Sequence, residues 1–408
     1  MQYIPNGTSI ILWGTGYIGK QIIEGAYGNY DIVFAVDSKI KEGGKEQIGE
    51  TDVYPLSRLD NVSGSDILLV IGFVAWREAA GKLKEKGWHI FDDYLPYIYL
   101  RYSTIDIGFM RFCMDMAERN RHLKKLSYGK KLCALYGYCH MTYYTQCLIS
   151  SDEFLNQYCI LELPHANSFL DDTEYLNDKW IYSVLDILLL ATVYPEAQYH
   201  TPDWKKVKSW VKDGCKVIVV TVAGFKGYFP QSTVGVLQTY ENICWGDKNL
   251  NCMIKEKCSV EEMIRMLSSE DFYNSDEVEN NFETACEKLD VIEQKCDVKI
   301  GDYIRKYGRS EPLMYSSTHP TDKVMKEIAS RIFRIIGIDS SILERIPQEK
   351  LISLKMHGEF IYPSVYRGLG MQFNERERVC VGDIDKEGIT FAEFIRLYVQ
   401  LCTPYLLA

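Results

Sequence analysis

The stretch Ile10-Ile11-Leu12-Trp13-Gly14-Thr15-Gly16-Tyr17-Ile18-Gly19-Lys20 decides how the N-terminal region folds. An apolar run enters a glycine-rich turn, and the turn enters a helical pattern over residues 18–26. A short apolar run ended by glycine reads as a buried strand, here 9–13. Gly14, Gly16 and Gly19 fit G-x-G-x-x-G between a strand and a helix. In that context glycines let the backbone approach a pyrophosphate, whose charge then rests on the helix N-terminus. A second strand over 31–36 ends at Asp37, 18 residues after Gly19, where a ribose-binding acid falls. The plainer alternative is a tight strand-to-helix turn. Hydride chemistry is disfavoured, because no catalytic partner accompanies the glycines.

Working outward, a third strand is expected over 66–71, a helix over 76–85 and a last strand near 89–91. Strands alternating with helices imply a parallel sheet with crossover helices. Residues 110–126 are helical in pattern and charged on one face, as a connector would be. A second α/β unit begins at Lys131, with strands over 132–136, 157–163 and 216–222. Residues 180–192 mix strand and helix signals, 204–212 read as a helix, and 261–295 are polar, acidic and mostly helical. The segment 321–336 is strongly amphipathic, with Val324, Ile328, Ile332 and Ile335 on one face. Beyond 346 come two short strand patterns and a final helix over 391–401. The expected division is 1–100, a connector over 101–130, a second α/β domain over 131–345 and a small C-terminal extension over 346–408.

Composition bounds the function. Of 408 residues, 47% are hydrophobic and 25% charged, which excludes disordered and collagen-like chains. The net charge of −10 argues against a general nucleic-acid binder. No charged segment precedes an apolar stretch at the N-terminus, and the longest apolar run, near 180–194, contains Asp186 and is too short for a membrane span. The expected location is cytoplasmic. Thirteen cysteines, an odd count without a Cys-x-x-Cys pair, point to free thiols rather than disulfides or zinc, so no metal site is expected. Asp383-Ile384-Asp385-Lys386-Glu387-Gly388 resembles a calcium loop, but four residues rather than five separate Gly388 from Glu393.

Two segments carry the chemistry. In Leu135-Tyr136-Gly137-Tyr138-Cys139-His140 a strand delivers a glycine turn and then a cysteine at a helix start. A helix N-terminus favours a thiolate, so a lowered thiol pKa is expected for Cys139. The alternative is a buried structural cysteine. In Ser316-Ser317-Thr318-His319-Pro320-Thr321 a histidine lies on a loop ahead of the amphipathic helix, well placed as a general base. The alternative there is a capping loop with an incidental histidine. His165, on a loop after a strand, is a weaker candidate. Lys205, Lys206 and Lys208 suit cofactor phosphates, although a lysine-rich helix face is more often simply solvated.

The N-terminal pattern, Ile10 to Lys20 followed by Phe34-Ala35-Val36-Asp37-Ser38-Lys39, resembles the small Rossmann-like domain that precedes some sugar acyltransferases. That resemblance implies a nucleotide-sugar site or a scaffold. The pair of an early strand-turn nucleophile and a late His-Pro is the layout of SGNH-type esterases. Here cysteine replaces their serine, and Ser316 stands where their aspartate precedes the histidine by three residues.

A closer resemblance is to the WcbI-type polysaccharide biosynthesis family. It rests on Gly137-Tyr138-Cys139, Gly227-Tyr228-Phe229-Pro230-Gln231-Ser232, Ile300-Gly301-Asp302-Tyr303-Ile304, and Leu313 to Pro320 followed by a closing helix. Tyr138 replaces the family's asparagine and His140 its glutamine. The resemblance implies an SGNH-like or WcbI-like second domain that binds coenzyme A and moves an acetyl group onto a sugar hydroxyl in capsular or surface polysaccharide synthesis. Cys139 would sit at the acyl end with Gly137 and Tyr138, His319 would be the base, and His140 would substitute for a missing polar group. The rival expectations are an esterase that uses water as acceptor, and a non-catalytic protein that binds coenzyme A or a nucleotide-sugar.

Overall fold

The computed structural model describes residues 7–62, 67–73, 75–90, 92–97, 104–106, 116–127, 129–163, 178–191, 204–222, 224–235, 245–355, 358–373, 378–381 and 388–407. In chain order the elements begin with β1 (Ser9–Trp13), α1 (Tyr17–Ile23), β2 (Asp31–Val36), β3 (Glu46–Ile48), β4 (Thr51–Tyr54), β5 (Leu68–Ile71), α2 (Trp76–Glu85) and β6 (Tyr94–Pro96). There follow β7 (Thr104–Asp106), α3 (Met116–Leu126), β8 (Lys131–Tyr136), α4 (His140–Ile149), α5 (Asp152–Gln157), β9 (Tyr158–Glu162), α6 (Lys179–Ser183) and β10 (Ile187–Ala191). Next come α7 (Trp204–Trp210), β11 (Lys216–Val220), β12 (Ser232–Val234), β13 (Trp245–Asp247), α8 (Lys248–Lys255), α9 (Val260–Leu267) and α10 (Ser275–Glu293). The chain closes with α11 (Gly301–Tyr307), α12 (Asp322–Ile336), α13 (Pro363–Gly368) and α14 (Phe391–Leu406).

The first sheet has the order β3-β4-β2-β1-β5-β6. It is parallel except where β3 returns antiparallel on β4. The central strand β1 is apolar because both its faces are covered, and Ile10, Ile11 and Leu12 are fully buried. The expected Rossmann-like arrangement is therefore present, with the chain reversing direction from β1 across the sheet. One strand lies later than the sequence suggested. His89 and Asp93 close a turn, in which the Asp93 N–H donates to the His89 carbonyl at 2.8 Å and the His89 N–H donates to the Asp93 carboxylate at 2.6 Å; Phe91, within the expected strand, lies outside the described residues. The strand can start only after that turn, and Tyr94 then pairs with Leu69 of β5.

The second sheet has the order β11-β10-β8-β9-β7, with β9 parallel to both β7 and β8. Residues 180–192, ambiguous in sequence, divide into α6 and the fully buried β10. A small antiparallel pair, β12 and β13, makes the third sheet.

The chain forms two compact units. One comprises Met1–Leu135, Asp152–Leu188 and Pro202–Lys216; the other comprises Tyr136–Ser151, Leu189–Thr201 and Val217–Ala408. In the second, α12 buries Val324, Met325, Ile328, Ala329, Ile332 and Phe333 and packs on α4. Each of these side chains except Ala329 contributes about 1.5–3 kcal/mol when fully buried. Gly337 ends α12 with φ of +80°, a left-handed C-cap that costs glycine nothing. Ile335, expected on the same face, is only half-buried. Among the described residues no helix is long and apolar enough to cross a membrane.

Candidate active site

Every residue of β8 after Lys131 is buried, so the strand delivers its C-terminal end as a rigid arm. Gly137 follows. A Cβ there would lie 2.5 Å from the Ala191 Cβ and 3.0 Å from the Met141 Cγ, so only glycine fits this turn. Cys139 then caps α4, and its carbonyl accepts from the Thr142 N–H at 3.0 Å. The expectation of an acidified thiol is corrected here. Burial pushes the Cys139 thiol up, and the backbone N–H groups of His140 and Cys139 offset that only in part.

Opposite the thiol lies the loop 313–321, a tight reversal in which Met314 and Pro320 form a single antiparallel bridge. The His319 carbonyl accepts from the Tyr315 N–H at 2.7 Å, and the Leu313 carbonyl accepts from the Thr321 N–H at 2.9 Å. This closure aims the imidazole. His319 Nε2 lies 3.9 Å from Cys139 Sγ, and its Nδ1 lies 2.9 Å from Ser316 Oγ. The tautomer protonated on Nδ1 donates to Ser316 and leaves the Nε2 lone pair facing the thiol. Ser316 is completely buried, so this anchor is shielded from competing water. The indole of Trp245 flanks the imidazole, with ring centroids 5.9 Å apart.

Thiol, imidazole and serine hydroxyl thus stand in the spatial order of a catalytic triad, with serine in the place of the usual carboxylate. A neutral serine fixes the tautomer but adds no charge to stabilise an imidazolium. Beneath the loop, the Ser317 N–H and hydroxyl both donate to Glu359 Oε1, at 3.0 and 2.6 Å. Ser232 Oγ lies 3.1 Å from Ser317 Oγ, and Gln231 Nε2 donates to the Phe360 carbonyl at 2.7 Å. The segment Gly227 to Ser232 therefore supports the loop from below.

The other candidates fall as follows. Tyr138 is half-buried and His140 is buried; the His140 ring packs edge-on to Tyr144 and 6.0 Å from the Tyr138 ring, and it is His319 that faces the thiol. His165 and the stretch 382–387 lie outside the described residues, as do the side chains of Lys205 and Lys206, while Lys208 is exposed on α7. In the first unit Gly14 has φ of +99°, and a Cβ on Gly19 would lie 2.0 Å from the Gly14 carbonyl oxygen, so both glycines serve the close strand-to-helix turn. Space around Gly16 is open. Asp37 is turned inward. Its Oδ2 accepts from the Thr15 N–H at 2.8 Å and the Thr15 hydroxyl at 2.7 Å, and its Oδ1 accepts from the Lys39 N–H at 3.0 Å. Burial raises its pKa, but the hydrogen bonds from Lys39 and Thr15 outweigh that, and the carboxyl sits below its usual range.

Sequence reasoning found Cys139 and His319 but read Ser316 only as a missing acid, and it singled out neither Trp245 nor Glu359. The signal for Ser316 was its spacing, three residues ahead of the histidine. Glu359 carries no local signal at all.

The model of the family "Polysaccharide biosynthesis enzyme WcbI" matches residues 132–341. No curated protein matches the chain. A solved structure of WcbI, described as a novel polysaccharide biosynthesis enzyme in its native form without a disulfide bond between CoA and a cysteine, is similar in fold. It matches with a TM-score of 0.54 and 15% identity, covering 68% of this chain and 92% of that one.

Proposed function

Because the chain belongs to the WcbI family of polysaccharide biosynthesis enzymes, we propose that its second unit transfers an acyl group, acetyl in the simplest case, from acyl-CoA to a hydroxyl of a sugar or polysaccharide precursor. The observation that carries this is the placement of Nε2 of an anchored imidazole 3.9 Å from a cysteine thiol. The similar solved structure is of WcbI without a disulfide bond between CoA and a cysteine, which supports the same substrate class here.

In the favoured route, His319 Nε2 takes the proton of the acceptor hydroxyl as its oxygen attacks the thioester carbonyl. The tetrahedral intermediate collapses, the C–S bond breaks, and the proton returns from Nε2 to the departing thiolate of coenzyme A. Ser316 holds Nδ1 throughout. The raised thiol of Cys139 favours this direct route over a covalent acyl-cysteine, since the nucleophile in the latter is the thiolate. For the first unit the scaffold role is the better supported, because Asp37 is engaged by Thr15 and Lys39 rather than presented to a ribose.

Thiol release from acetyl-CoA, with intact mass recorded alongside, tests the reading. Release stimulated by sugar hydroxyls and reduced about 10²–10⁴-fold in His319→Ala is expected. An acetyl adduct lost in Cys139→Ala would establish the two-step route instead. Absence of release, of an adduct and of a melting shift with coenzyme A would overturn the proposal.

A further inference from the structure

Glu359 lies outside the residues matched by the family model, in the C-terminal extension, yet it reaches the loop that carries His319. It is half-buried, and desolvation raises its carboxyl pKa against the hydrogen bonds from Ser317 and Ser232. Four hydrogen bonds tie its short segment to the loop and to the segment beneath it. Both the N–H and the hydroxyl of Ser317 end on Glu359 Oε1. The Glu359 N–H donates to the Tyr315 carbonyl at 2.8 Å. The next residue, Phe360, offers its carbonyl to Gln231. Tyr315 and Ser317 bracket Ser316, the residue that holds His319 Nδ1, so both flanks of the anchor are pinned by one residue from elsewhere in the chain.

We propose that Glu359 is a positioning residue: by fixing Tyr315 and Ser317 it holds Ser316 Oγ against His319 Nδ1, and so keeps the Nε2 lone pair directed at the reacting atoms. The C-terminal extension is then part of the catalytic apparatus. The functional consequence rests on the acyl-transfer reading; the geometric one does not. Ser317 needs an acceptor rather than a charge, so an amide oxygen in the same place serves it equally well.

The experiment uses the full chain and reads the His319 ring nitrogens by long-range nitrogen–proton NMR, without substrate. Wild type is expected to show one fixed tautomer with the proton on Nδ1. Glu359→Ala should show averaged tautomers, and Glu359→Gln should restore the fixed one. In parallel, Glu359→Ala should lower kcat about tenfold with KM for acetyl-CoA little changed, as expected for lost orientation. A fixed tautomer in Glu359→Ala overturns the proposal, as does averaging in a folded Glu359→Gln. If Glu359→Ala fails to fold, Ser317→Ala decides by the same spectrum: averaging supports the proposal and a fixed ring contradicts it. A wild type with a fixed ring but no acyl transfer would defeat the proposed function and leave the positioning role standing.

Discussion

At the scale of single residues, the site depends on which atoms are held and which are left available. Ser316 Oγ holds His319 Nδ1 and also accepts from the His319 N–H at 3.2 Å, so it fixes both ring and backbone. Ser316→Ala should lower kcat about tenfold and also lower the melting temperature, because the His319 N–H loses an acceptor; steady-state kinetics and thermal melts would show both. A second residue makes a prediction about pH. Asp247 caps α8 by accepting from the N–H groups of Asn249 and Leu250, and it also accepts from the Tyr362 hydroxyl at 2.6 Å. Burial raises its pKa from an ordinary 3.8 to about 6, despite those bonds. Between those values the folded chain holds a proton that the unfolded chain has lost. Stability should therefore fall as pH rises from about 4 to about 6, by on the order of 2–3 kcal/mol. Asp247→Asn keeps the cap oxygen and removes the titration, so denaturant midpoints across that range should flatten.

At the scale of elements, the sequence made visible whatever was periodic or punctuated. The apolar run of β1, the glycine turn after it and the 3.6-residue stripe of α12 are local patterns, and strand, turn and helix are found where expected, with Ile335 alone off the buried stripe. β3 and β4 were missed because strands of three and four residues are too short for their alternation to be read from sequence. The turn closed by His89 and Asp93 was missed because its bonds join two residues four positions apart and carry no local sequence pattern. In the site, Cys139 and His319 were legible because strand-turn and loop-helix junctions mark them. The thiol's pKa was misjudged because the helix N-terminus is visible in sequence and burial is not. Glu359 was illegible because its function depends on residues about forty positions away. The β8–α4 turn itself is testable. Gly137→Ala would force a Cβ against Ala191 and displace Cys139, so it should cost about 1–3 kcal/mol and reduce turnover more than Cys139→Ala does. Urea unfolding and thiol release on the same preparations would compare the two.

At the scale of the whole molecule, an N-terminal sheet accompanies a family domain in which Cys139, after β8 at the start of α4, meets His319 from the loop before α12. If the first unit is a scaffold, its glycine turn and Asp37 act on folding and not on chemistry. Asp37→Ala leaves the Thr15 N–H without its acceptor and should destabilise that unit by about 1–3 kcal/mol, while turnover per folded molecule stays at the wild-type value. Calorimetry and active-site-normalised rates would check it; a lost nucleotide-sugar dependence of the rate would instead assign a binding role to the turn. The central claim is transfer of an acyl group to a sugar hydroxyl at Cys139 and His319. The most direct test is to follow the acetyl group itself, by incubating the wild-type protein and His319→Ala with radiolabelled acetyl-CoA and a panel of sugars and nucleotide-sugars. The account predicts label on a sugar with wild type and little with the variant. Label recovered as free acetate, or left on coenzyme A by both proteins, would contradict it.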